Sequence, residues 1–154
     1  MTVSERLREL GITIPHANPP IANYVPFVLS GNILIISGQL CLESGILRPK
    51  HTGKISENVS EKSGYDAARL CAINLLAQIQ FATGDLSKVK RCLRLGGFIN
   101  CTPDFSALPA IMNGASDLMV AVFGEAGKHV RTTVGVAQLP LNAAVEIEAM
   151  FELV

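Results

Sequence analysis

Residues 131–154 read RTTVGVAQLPLNAAVEIEAMFELV, and their pattern decides how the rest of the chain is read. Between Val145 and Val154, the residues Val145, Ile147, Ala149, Phe151 and Leu153 alternate with Glu146, Glu148, Met150 and Glu152. This is the period-two signature of a strand with one buried and one outward face. Arg131–Gln138 forms a second strand, joined to the last by Leu139, Pro140, Leu141 and Asn142.

Upstream, apolar residues at helical spacing (Ala68, Ala72, Leu75, Leu76, Ile79) predict a helix over 65–83, opened by Ser60 or Ser63 and ended by Gly84. Ile111, Ala115, Leu118, Met119 and Val122 repeat the pattern and predict a second helix over 107–123, followed by a loop from Gly124 to His129. Between the helices, 89–100 reads as a strand with Val89, Leu93, Leu95 and Ile99 on one side and Lys90, Cys92 and Arg94 on the other. Gly96 and Gly97 inside it imply a bulge or a close backbone approach.

At the N-terminus, Ser4 is placed to cap a short helix that Gly11 stops. Tyr24–Leu29 is extended, Ser30–Asn32 turns, and Ile33–Ser37 returns as a buried strand. Glu43–Lys62, polar and glycine-bearing, reads as a surface excursion of loop or short hairpin. The order β, β, α, β, α, β, β predicts one α+β domain over 1–154 with a short N-terminal helical extension, its mixed sheet covered on one face by two helices.

Composition narrows the function. The chain has 154 residues, 13 basic and 13 acidic side chains, and only 17% charged residues. Ordinary soluble domains carry roughly 25% charge, so part of this surface is expected to be hidden. Gly11–Leu42 is uncharged but interrupted by Pro15, Pro19, Pro20 and Pro26, which excludes a membrane span. A partner subunit remains. Zero net charge argues against a nucleic-acid footprint. Four dispersed cysteines without a CxxC pair read as reduced thiols of a cytoplasmic protein, and nothing suggests a metal.

No phosphate-binding loop, zincin or nucleophile-elbow motif occurs, and His16, His51 and His129 read as solvated or structural. Attention therefore falls on Arg131, after which no charge occurs until Glu146. Two readings stand. Arg131 and Glu146 form a cross-strand ion pair, or the guanidinium is left free to grip a ligand carboxylate with its planar fork.

Arg131-Thr132-Thr133-Val134-Gly135-Val136, then Leu139-Pro140 and Val145-Glu146-Ile147-Glu148-Ala149, resembles the C-terminal signature of the RidA/YjgF family, once known as L-PSP endoribonucleases. Ile35-Ile36-Ser37-Gly38-Gln39 is similar to that family's first hairpin, and Asn113 matches its helical asparagine within one residue of spacing. The resemblance covers about residues 17–154. It implies a chorismate-mutase-like fold and a homotrimer with inward-facing sheets and clefts between subunits. The implied activity is cofactor-independent hydrolysis of 2-aminoacrylate-type enamines and imines to 2-keto acids and ammonia. Alternatives are a non-catalytic metabolite-binding trimer and a single-stranded RNA endoribonuclease. Carried over by position, Arg131 binds the substrate carboxylate and Glu146 activates water. Tyr24, Ser37, Gly38 and Asn113 line the pocket, and the backbone of Thr133 lies against the substrate. Thr133 stands where the deaminases usually have cysteine, so any role of that thiol is lost here.

Overall fold

The computed structural model describes residues 1–154. The chain folds as α1 (Val3–Glu9), β1 (Phe27–Ser30), β2 (Ile33–Leu40), α2 (Glu61–Thr83), β3 (Val89–Asn100), α3 (Leu108–Phe123), β4 (Val130–Val136) and β5 (Val145–Leu153), with short 3-10 turns between several of them. The sheet order is β1-β2-β5-β3-β4. All neighbours are antiparallel except β3 and β4, which are joined through α3 and run parallel. This mixed sheet with α2 and α3 on one face is the expected α+β architecture.

Local chemistry explains most boundaries. Thr2, not Ser4, caps α1: its hydroxyl accepts from Glu5 N and the Glu5 carboxylate accepts from Thr2 N, a complete capping box. Ser60 caps α2 by accepting from Ser63 N, and Gly84, in the left-handed region, ends it. β1 starts at Phe27 rather than Tyr24, since Pro26 has no N–H to donate to a ladder.

A core of 31 buried residues lies between the sheet and the helices, built on Leu75, Leu76 and Ile79 of α2, Met112 and Met119 of α3, and Leu34, Leu95, Ile147 and Phe151 of the sheet. Burying each such side chain contributes roughly 1.5–3 kcal/mol. α2 and α3 approach so closely that a Cβ on Gly114 would collide with the carbonyl oxygen of Tyr65.

Two expectations need correction. On β3, Cys92 is buried with Leu95 and Ile99, while Leu93 is only half-buried, because register shifts between Val89 and Arg91 and between Cys92 and Arg94 each reverse the side-chain parity. The irregularities therefore sit upstream of Gly96 and Gly97, which instead mark close approach by Glu148 and Met112 side chains. The excursion from Glu43 to Lys62 is not wholly surface. Ile55 and Val59 join the core, and Ile55 pairs with the end of β3 through bonds with Asn100 O and Thr102 N. All four cysteines are free and buried.

The second face of the sheet has no helix on it. Val28, Ile35 and Val134 are 50%, 38% and 42% exposed there, beside Arg94, Glu146, Glu148 and Glu152. No helix is long and apolar enough to cross a membrane.

Candidate active site

Strand β4 forms one edge of the sheet. Arg131 pairs with Leu95, whose side chain is in the core, so Arg131 points to the helix-covered side. There it lies along one stripe of α3: Nη1 donates to Asn113 Oδ1 and to Ser116 Oγ, both at 2.9 Å, and Nη2 donates to the Pro109 carbonyl at 3.3 Å. Pro109, Asn113 and Ser116 stand at i, i+4 and i+7, the spacing of a single helix face. Ser116 Oγ also lies 2.9 Å from His129 Nε2, and His129 Nδ1 lies 2.6 Å from the Gly127 carbonyl.

Every acceptor on the guanidinium is neutral. Its position is held while its charge stays uncompensated, and the Nε–H and one Nη2–H make no bond within the chain. Thr133, two residues on and on the same strand face, buries an Oγ1 that has no partner.

The second constellation forms on the other side of the sheet. Ile36 pairs with Ala149 and Gln39 with Ile147, so Ser37 and Gly38 together oppose Glu148. This bulge turns Gln39 inward, where its Oε1 meets Gln78 Nε2 of α2 at 3.4 Å. Gly38 is left facing Glu146: a Cβ there would meet Glu146 Oε2 at 2.6 Å.

The uncharged segment 18–26 arches over this point. It is pinned at one end by Gln78 Nε2 donating to Asn18 O at 2.8 Å, and at the other by Ser37 Oγ donating to Val25 O at 2.8 Å. Beneath lies a recess of about 190 Å³ lined by Pro19, Pro20, Ile21, Tyr24, Gly38 and Glu146 among others. Glu146 is its only charged residue and its carboxylate accepts no hydrogen bond. Burial, then the nearby Glu148 charge, pushes its carboxyl above the ordinary range.

The residues named from sequence therefore fall into two groups. Tyr24, Gly38 and Glu146 share the recess, with Ser37 supporting it from the bulge rather than lining it. Arg131, Asn113 and Thr133 gather at the α3–β4 corner, where Asn113 holds the arginine. The chain does not bring the two groups together. β3 separates β4 from β5, and Arg131 and Glu146 point to opposite faces, so the cross-strand ion pair does not form.

Sequence reading missed Ser116 and the partnership of His129. Their only advance signals are that Ser116 falls one helical turn after Asn113 and that His129 precedes Arg131 by two positions on the same strand parity. No group of three or more His, Cys, Asp or Glu side chains is placed to hold a metal ion.

The chain is similar to known proteins over nearly its whole length. A relative from Trypanosoma cruzi, Protein TCP17, is 44% identical, the match covering 98% of this chain and 94% of that one. A 2-iminobutanoate/2-iminopropanoate deaminase from Dermatophagoides farinae is 30% identical over 90% of this chain and 92% of its own length. The crystal structure of Atu1372 from Agrobacterium tumefaciens superposes with a TM-score of 0.91 at 48% identity, covering 99% of this chain and 92% of that one. The family model described as "YjgF/chorismate mutase-like, putative endoribonuclease" matches residues 4–153, so this chain belongs to the YjgF/chorismate mutase-like family.

Proposed function

We propose that the protein is a cofactor-independent enamine/imine deaminase that works as a homotrimer, each active site being completed across a subunit interface. One observation carries this reading. Arg131 is an uncompensated, pre-positioned cation and Glu146 an unbonded carboxyl in a small recess, yet they sit on opposite faces of one sheet. A rotational assembly joins unlike surfaces head to tail, which lets the corner of one subunit meet the recess of the next. The low charge content and the uncovered face of the sheet, on which Val28, Ile35 and Val134 stand exposed, support such an assembly.

In this reading the 2-imino acid carboxylate takes the two unfilled N–H groups of Arg131, a charge-assisted bidentate bond. Its imine carbon is then presented to a water beside Glu146. A carboxyl raised above its ordinary range is well matched to accepting the proton of that water and returning it to nitrogen. Water adds across C=N, the carbinolamine collapses to C=O, and ammonia leaves. The imine is already electrophilic, so positioning and one proton-transfer group suffice.

Incubation with 2-iminobutanoate generated in situ tests the activity: release of 2-ketobutyrate no faster than in buffer refutes it. The shared site has its own test. Arg131→Ala and Glu146→Gln are each expected to be inactive, but refolding them together in equal amounts returns about a quarter of wild-type activity, the fraction of mixed interfaces with both native residues. No recovery on mixing overturns the intersubunit arrangement.

A further inference from the structure

We propose that Ser116 and His129 are positioning residues of the carboxylate clamp, a hydrogen-bonded relay from the Gly127 carbonyl through the imidazole and the hydroxyl to Arg131. The inference rests on the reading of Arg131 as the ligand's anchor.

The direction of each bond follows from what each atom can do. The Gly127 carbonyl can only accept, so Nδ1 at 2.6 Å must carry a proton. In a neutral ring Nε2 is then an acceptor, and its partner at 2.9 Å, the Ser116 hydroxyl, must donate to it. With its proton committed, the Ser116 oxygen turns its lone pairs outward, and one of them takes the Arg131 Nη1–H at 2.9 Å. Burial and the Arg131 charge favour the neutral ring and outweigh the Gly127 hydrogen bond, which favours the charged one.

The relay does two things at once. It fixes the guanidinium through Nη1, with Asn113, while Pro109 takes one Nη2–H, and leaves the Nε–H unbonded. It also does so without any anion, since an aspartate at any of these points would hold the arginine equally well but neutralise the charge a ligand needs. Pre-organising an Arg fork removes much of the ordering cost of the bidentate bond.

Titration calorimetry with 2-ketobutyrate, beside turnover of 2-iminobutanoate, tests the relay. Ser116→Ala and His129→Phe are each expected to raise Kd and KM about 10-fold, the value of one lost charged hydrogen bond, with kcat changed less than about threefold. Ser116→Thr, which keeps the hydroxyl, is expected to recover most of the affinity. The double variant is no worse than either single one, because both cut the same chain. Nitrogen-15 NMR at neutral pH is expected to show His129 as the Nδ1–H tautomer. The Nε2–H tautomer, or an unchanged Kd in Ser116→Ala, overturns the proposal. A wild type that binds 2-ketobutyrate through Arg131 but does not hydrolyse the imine defeats the deaminase reading and leaves the relay standing. A wild type that binds no 2-ketobutyrate overturns the clamp and the relay with it.

Discussion

The corner around Arg131 and the recess around Glu146 are built on opposite plans. At the corner a permanent cation is tied by three hydrogen bonds to groups that share none of its charge. In the recess an anion is tied by none, shielded under uncharged residues and left adjustable by its surroundings. The difference matches the two tasks. A group that anchors a ligand benefits from fixed geometry and full charge, whereas a group that exchanges protons needs a pKa set by its environment and freedom to change partners.

The largest test of this contrast is Glu146→Gln. It removes the proton acceptor with little change in shape, and kcat is expected to fall by about 10²–10⁴-fold while KM stays close to wild type. Asn113→Asp makes the opposite half-site resemble an ordinary ion pair. A carboxylate 2.9 Å from the Nη1 position neutralises the clamp, so the Kd for 2-ketobutyrate is expected to weaken about 10–100-fold in calorimetry without loss of thermal stability. If affinity survives that change, the idea that neutral partners preserve the anchoring charge is wrong.

Gly38→Ala probes the recess by steric means. The added Cβ meets the mobile end of Glu146 rather than backbone, so the carboxyl is displaced at small cost to the fold. A drop in kcat of about 10-fold with an unchanged melting temperature is expected. A large fall in melting temperature instead would mark Gly38 as a folding requirement. Glu148→Gln is gentler still. Removing its charge takes away the second cause of the raised Glu146 pKa, so the acid limb of the kcat/KM profile should move to lower pH.

The smallest expected effect separates the site from the scaffold. His51 is 2% exposed, neither ring nitrogen has a partner, and burial lowers its pKa. Above the ordinary histidine value of about 6.5 both folded and unfolded rings are neutral and no stability changes hands. As pH falls below it the unfolded state binds the proton first, so stability is lost on the acid side. Denaturant unfolding at pH 5 and pH 8 should show this slope in the wild type and a flatter one in His51→Phe.

Much of the fold is legible in the sequence because its elements are strongly periodic. The alternation from Val145 to Leu153 and the helical stripe from Ala68 to Ile79 each specify an element and the face it buries. The misreadings have identifiable causes. Parity fails on β3 where register shifts between Val89 and Arg91 and between Cys92 and Arg94 each add a residue, and the polar composition of 43–62 conceals Ile55 and Val59, which enter the core through pairing with a distant strand end.

For the candidate site, the sequence by itself determined which residue types are available: one arginine and one glutamate bracketing an uncharged stretch, and a Ser37-Gly38 pair that permits a bulge. Only the tertiary structure decided that Arg131 and Glu146 face opposite sides of the sheet, because that depends on β3 being inserted between β4 and β5. It alone decided, too, that Ser116 and His129 meet behind the arginine and that residues 18–26 roof the glutamate. Periodicity along a chain reports which side a residue takes within its own element. Which atoms stand opposite it is settled by the packing of segments far apart in sequence, where hydrogen bonds and charge find their partners.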